Sequence, residues 1–324
     1  MSVLVFVLWR VDYGRLSQVV ARSHAGFLLL VPLAVALEQL VRAWKWRQLL
    51  HDIRRIRTLR LFGAIMAGYL ANILVPLGIS PLVRSWLVAR LEALEMSTVL
   101  ATAAIDRFVD GVVFVGFVAL ALVFTVFPDP TGDIRLALTF GGAGNLVLFA
   151  LLLYALARYK RRMARGESRI MTLVHRLPQR LAGRAGELAQ GFADGVVWPR
   201  AVWRGVGIVL ASVVVKLIAI THFFWVSLAF GVILHAADYV FVVVFLGFLI
   251  ILTRLVRIPG GFFFGALFAL DLLGVGEEEA FAMTLVVQTS SILTVAAIGA
   301  VSLWRNGIVI AELRMPKEDR LGPS

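Results

Sequence analysis

Apolar runs at 25–41, 61–77, 111–127, 136–157, 205–232 and 281–303 are long enough, or nearly so, to cross a lipid bilayer, with shorter ones at 239–253 and 262–273. In hydrocarbon no water is present to satisfy the backbone, so such runs must close their hydrogen bonds internally as helices. The sequence therefore predicts an all-α polytopic membrane protein, a single transmembrane domain over 1–324, with about 7–9 transmembrane or re-entrant helices. Composition agrees: 60% of residues are hydrophobic and only 16% charged, against about a quarter in a soluble domain, which must cover its surface with charge.

The net charge of +12 would suggest nucleic acid in a soluble protein, but basic residues held on the cytoplasmic side account for it better. Segment 42–60 holds seven Lys and Arg, segment 158–204 eleven and the tail 305–324 four. The opposite side has Arg10, Arg15, Arg22 and Arg135, with acidic Asp129, Asp133, Asp238 and Glu277 to Glu279. The basic side, C-terminus included, is expected in the cytoplasm, as in a bacterial inner membrane. The short apolar run at 3–9 reads as an interfacial anchor or as the last half of a helix whose start lies outside this sequence, the second being preferred.

The charge asymmetry imposes a parity: between Arg60 and Pro128, and between Tyr239 and Arg305, the chain crosses an odd number of times. In the first interval, 61–77 and a mixed segment 82–105 would form a hairpin, leaving 111–127 to cross alone. The second interval repeats the plan with 239–257, 262–273 and 281–303. Each hairpin breaks at Pro-x-Gly, Pro76-Leu77-Gly78 and Pro259-Gly260-Gly261. One unit (about 61–127) starts inside and the other (about 239–304) outside, the pattern of an inverted repeat. In the loop 158–204, Ile170, Leu173, Val174, Leu177, Leu181, Leu188 and Phe192 follow helical spacing among arginines. This reads either as a basic amphipathic helix pair on the inner leaflet or as a cap on the bundle.

Enzyme chemistry finds little support. There are no cysteines, the five histidines show no metal-ligand spacing, and HExxH, P-loop, GxGxxG and GxSxG patterns are absent. No catalytic residue, metal or cofactor is expected.

Trp44-Lys45-Trp46-Arg47, Asn72-Ile73-Leu74-Val75-Pro76, Arg84 and Asp106-Arg107-Phe108-Val109-Asp110 occur in this order, followed by Pro259-Gly260-Gly261 and Gly274-Val275. In order and spacing the set resembles the transmembrane region associated with lysylphosphatidylglycerol synthases, over roughly 25–304. The chain departs from that pattern where Ser80-Pro81 replaces Gly-Glu and where Asp106-Arg107 replaces Glu-Arg, and the soluble aminoacyl-transfer domain of fused members is not expected here. The resemblance implies movement of modified phospholipids between leaflets.

Six basic residues escape the loop count: Arg84, Arg90, Arg107, Lys216, Arg254 and Arg257. A charge at membrane depth costs on the order of 2.5–3.5 kcal/mol and usually faces a cavity or a partner. Lys216 lies too deep in 205–232 to snorkel, whereas Arg254 is near enough to an interface to do so. Arg84 and Arg257 flank the two breaks, where helix N-termini favour anions and Arg offers a bidentate phosphate partner. The candidate substrate-binding residues are therefore Arg84, Arg257, Lys216, Asn72, Pro76, Pro259 and Gly261, with Asn72 better placed to satisfy freed backbone groups. Arg90 with Glu92 or Glu95, and Arg107 with Asp106, Asp110 or Glu95, read as structural ion pairs. Glu38 and Asp271 are the intramembrane carboxylates available to Lys216 or to a coupling proton. Trp44, Trp46, Trp198, Trp203 and Trp304 are expected as interfacial anchors.

The leading expectation is a translocator of a phospholipid or polyisoprenoid-linked lipid, with the lipid's anionic headgroup as partner and no nucleic acid. A second is a non-catalytic scaffold that docks a cytoplasmic lipid-modifying or glycosyl-transferring enzyme through 158–204. A third is a transferase using Asp106 and Asp110; against it, Arg107 makes ion pairing the plainer account. Homo-oligomerisation stays open.

Overall fold

A computed structural model describes residue 21 and residues 23–75, 78–124, 129, 132–164, 191–192, 194–255 and 260–307. Among them the structure is all-helical, without strands. The elements are α1 (Ala25–Leu50, with a turn at Leu29), α2 (Thr58–Leu74), α3 (Ser80–Glu92), α4 (Met96–Phe124), α5 (Asp133–Ala164), α6 (Val202–Phe230), α7 (Ala236–Leu255), α8 (Gly261–Leu272) and α9 (Glu277–Arg305). Five helices, α1, α4, α6, α7 and α9, are long and apolar enough to span a membrane, and the 32-residue α5 has the length to do so.

The hairpins form as their sequence breaks predict. Arm α2 has 17 residues and α3 has 13; α7 has 20 and α8 has 12. At 1.5 Å per residue, α3 and α8 rise only about 20 and 18 Å, short of the roughly 30 Å hydrocarbon core. By length neither α3 nor α8 reaches across such a core. In the first hairpin Arg60 pairs with Glu92 at the open end, and Gly68 of α2 lies against Ser80 near the tip. A Cβ on Gly68 would stand 2.9 Å from the Ser80 carbonyl oxygen and 3.2 Å from the Arg84 Cβ, so only glycine allows this approach. In the second hairpin a Cβ on Gly261 would stand 2.9 Å from the Thr253 Cβ.

The two hairpins belong to a longer repeat. Helix ends 74 and 255, starts 80 and 261, starts 96 and 277, and ends 124 and 305 are each 181 residues apart. The short arms end on the same cap. Leu94 N–H donates to Ala89 C=O and Val275 N–H to Leu270 C=O, across left-handed residues Ala93 (φ 51°) and Gly274 (φ 75°). The helices before the hairpins match too, since Leu50 and Phe230 are 180 apart. Each repeat thus holds one long apolar helix, one hairpin and one long apolar helix. The single helix α5 lies between the two copies in the chain, and the odd number of helices this makes among the described residues is the element order an inverted repeat requires.

Segment 82–105 is not one element. It breaks at Ala93 to Glu95, and its second part is the start of the 29-residue α4. Nor is 42–60 a loop: α1 continues to Leu50, and within it Arg42 and Lys45 are buried. The helical periodicity of Ala43, Trp46, Leu49 and Leu50 outweighs the charges there, because those charges find partners inside. Of 158–204, residues through Ala164 extend α5, while the predicted amphipathic pair lies largely outside the described residues.

By contacts the chain divides into two compact units. One comprises Gln39–Val109, Ala150–Ser212 and Leu293–Ser324, with a core of Trp46, Leu49, Leu61, Ile65, Leu87, Val99, Ile208 and Leu303. It contains the first hairpin and the first basic segment, 42–60. The other comprises Met1–Glu38, Asp110–Phe149 and Val213–Ile292, with a core of Val31, Phe114, Val118, Phe223, Phe241, Val242, Ala266, Leu270 and Met283 around the second hairpin.

Candidate functional site

In the unit with the first hairpin, residues from α1, α3, α4 and α6 converge on one carboxylate. Asp106 is fully buried, and the Lys45 ammonium lies 2.8 Å from its Oδ1. Lys45 also donates to the Ser212 hydroxyl at 3.2 Å and reaches the Asp106 backbone carbonyl at 3.4 Å. From α3, Arg84 Nη2 lies 3.3 Å from Asp106 Oδ2, with only 1% of its side chain exposed. The guanidinium stacks over Trp46, 4.7 Å from the ring centroid. The Trp46 indole N–H donates to the Thr102 hydroxyl at 3.0 Å, which donates in turn to Val99 C=O.

Helix spacing brings these residues in. Adjacent on α1, Lys45 and Trp46 turn inward while Arg47 is exposed, and on α4 Thr102 and Asp106 share a face one turn apart. Two positive charges thus share one carboxylate in a medium where unpaired charge is expensive. Arg84 is only partly satisfied: its Nε and Nη1 are buried without a hydrogen-bond partner among the described residues. The Ser80 and Ser85 hydroxyls, on the same short helix, are buried and unpartnered in the same sense. Pro81 at the start of α3, with no side-chain cap, leaves the first-turn N–H groups free of a side-chain acceptor. Among the described residues Arg84 Nε and Nη1 are left without an acceptor, and an anion is the chemistry that would supply one.

The other predicted residues are dispersed. Asn72 is half-buried, its Oδ1 without a hydrogen-bond partner among the described residues. Pro76, Arg257 and Pro259 lie outside the described residues, as does the Arg254 side chain. On the 181-residue register Arg84 corresponds to Gly265 and Asp106 to Val287, and on the 180-residue offset of the helices before the hairpins Lys45 corresponds to Trp225. The two repeats therefore do not supply matching arginines from their short arms, and the charged cluster belongs to the first repeat. Arg107 is exposed and donates to the Tyr69 hydroxyl at 3.3 Å, while its neighbour Asp106 points inward to Lys45 and Arg84. Arg90 is exposed and stacks on Trp86 at 5.4 Å, and Glu92 pairs with Arg60.

In the other unit Lys216 is half-buried, its ammonium 5.0 Å from the centroid of Phe114. Glu38 faces His222, and Asp110 is buried one turn beyond Asp106 on α4. Asp271 is exposed at the end of α8 rather than interior. An open groove of about 600 Å³ in that unit is lined by Phe124, His235, Asp238 and Leu272 to Gly274, and contains neither Arg84 nor Lys216.

Among the tryptophans, Trp198, Trp203 and Trp304 are exposed as anchors should be, but Trp46 is fully buried in the charged cluster. The sequence reading missed Lys45, Trp46, Thr102, Ser212, Ser80 and Ser85 as members of the site. The available signal was the apolar spacing of Ala43, Trp46 and Leu50, which carries the α1 pattern past Arg42.

Fold and site together define a polytopic helical membrane protein of two repeats, with a charged cluster buried beside the short arm of one helix hairpin. The chain belongs to the family described as the lysylphosphatidylglycerol synthase transmembrane region, whose family model matches residues 1–299. Membership ties it to a membrane-lipid-related function. Neither the curated proteins nor the solved structures provide a match.

Proposed function

We propose that the protein is a non-enzymatic lipid translocator, moving a phospholipid or polyisoprenoid-linked lipid between leaflets of a bacterial-type cytoplasmic membrane, its C-terminus in the cytoplasm. The observation that carries this reading is Arg84. It is an almost fully buried guanidinium with two nitrogens unpartnered among the described residues, at the head of an arm too short to span. A lipid phosphate supplies the acceptor atoms that Arg84, Ser80 and Ser85 lack, and Asp106 and Trp46 hold the guanidinium plane ready for it. Family membership supports the lipid, and the inside-positive loops support the orientation.

The test is leaflet exchange of a fluorescent phospholipid in vesicles carrying the purified protein. Arg84→Gln should lower the exchange rate at least about tenfold, the loss of one charge-assisted contact of roughly 1.5–3 kcal/mol. An unchanged rate in a folded Arg84→Gln protein would refute the site.

A further inference from the structure

The charged cluster does not use His222, the one histidine within a spanning helix of the described residues, buried at 9% exposure. Its ring lies against α1 between Ala34 and Glu38, which sit one turn apart on the same face. One ring nitrogen is hydrogen-bonded to the Ala34 backbone carbonyl. The other, Nε2, faces Glu38 Oε2 at 3.6 Å and has no hydrogen-bond partner among the described residues.

A neutral imidazole carries a single N–H. The Ala34 carbonyl can only accept, so that N–H is spent on it and Nε2 presents a lone pair. Opposite stands a carboxylate oxygen, also an acceptor. Two acceptors facing each other at this distance repel, and one proton placed between them makes a charge-assisted hydrogen bond instead. The depth suits a transported proton: Glu38 lies about 20 Å along α1 from Ala25, in a helix about 39 Å long. Of the other charged groups, Arg42 lies one turn beyond Glu38 on α1, and Lys216, on α6 itself, is directed to the Phe114 ring of α4. Phe223, next to the histidine, packs on Phe262 of α8 and adds no charge.

We infer that His222 and Glu38 hold one exchangeable proton between them, and that a proton gradient acts on translocation through this pair. The proton leaves hydronium in the aqueous phase, adds to the Nε2 lone pair and returns to water on release; no other bond is made or broken. The coupling rests on the translocator reading, whereas proton binding stands apart from it.

Two measurements on the full chain in nanodiscs or vesicles separate them. With all histidines ¹⁵N-labelled, the signal lost in His222→Asn identifies His222, and its titration is followed between about pH 5 and 9, the range open to a shifted imidazole. His222 should titrate there, and Glu38→Gln should move the titration down by about one unit or more, since an opposite charge at this distance favours the imidazolium. A His222 signal that does not titrate, or one that Glu38→Gln leaves in place, overturns the proton site, and Glu38→Gln decides this even if His222→Asn fails to fold. In the exchange assay an imposed pH gradient should change the wild-type rate, and His222→Asn should lose that response while keeping gradient-free exchange. A retained response overturns the coupling. Exchange absent from both proteins overturns the translocator reading and the coupling with it, while the titration still decides the proton site.

Discussion

The Lys45 ammonium and the Asp106 carboxylate meet at 2.8 Å with neither side chain exposed at all, a contact between residues 61 apart in the chain. Removing one partner should cost far more than removing both. Asp106→Asn strands the Lys45 and Arg84 charges in the core and should destabilise by about 3–5 kcal/mol. The double change Lys45→Met with Asp106→Asn should recover part of that loss. Thermal unfolding of the detergent-solubilised protein measures both, and equal losses would mean that the pair is not coupled.

Trp46 is expected to act as a structural support for Arg84 rather than as an interfacial anchor. Trp46→Phe keeps a ring under the guanidinium but removes the hydrogen bond to Thr102, so it should cost about 1–3 kcal/mol for the hydroxyl environment left behind. Trp304→Phe, at a site 81% exposed, should change the unfolding temperature little. Comparison of the two melts checks the contrast.

Glycine matters at the hairpin tip and not everywhere. Gly68→Ala pushes a methyl group against the Ser80 backbone and should destabilise by about 1–3 kcal/mol, with a parallel loss of exchange because Arg84 moves with Ser80. Gly116→Ala, in α4 with nothing within 4 Å of the added carbon, should be neutral or stabilising by up to about 1 kcal/mol.

Beyond the end of α1, the Arg200 backbone N–H donates to Asp52 at 3.1 Å, and Arg204 contacts His51 at 2.8 Å. The Arg200 N–H, aided by His51 and Arg204, holds the Asp52 carboxyl below its ordinary value of 3.8. A depressed carboxylate stabilises the fold above the unfolded value, and that contribution is lost as pH falls through the lower folded value. Asp52→Asn should therefore speed hydrogen exchange at the Arg200 amide at neutral pH. Once acid has protonated Asp52, the two proteins should exchange alike, as mass spectrometry can follow.

Much of the architecture is legible in the sequence because bilayer physics is local. Apolar run length marks the long apolar helices, and the Pro-x-Gly motifs at 76–78 and 259–261 fall in the chain between the two arms of each hairpin. The break at Ala93 is less visible, since a non-glycine residue takes the left-handed conformation there and the segment reads straight through. The 181-residue register is hidden as well: helix ends and caps repeat, while Arg84 and Gly265 share no chemistry.

The sequence by itself determined that this chain is a polytopic helical membrane protein, which segments are apolar enough to enter the bilayer and where the hairpins break, because each follows from the length and polarity of contiguous segments. Only the tertiary structure decided which charges are interior. Lys45 looks like one of seven loop cations and Trp46 like an anchor, yet both are buried, because α4 brings Asp106 and Thr102 to them from about sixty residues away. A charge is affordable in the core only when its partner arrives, and that partner is set by packing between helices rather than by any neighbour in the chain.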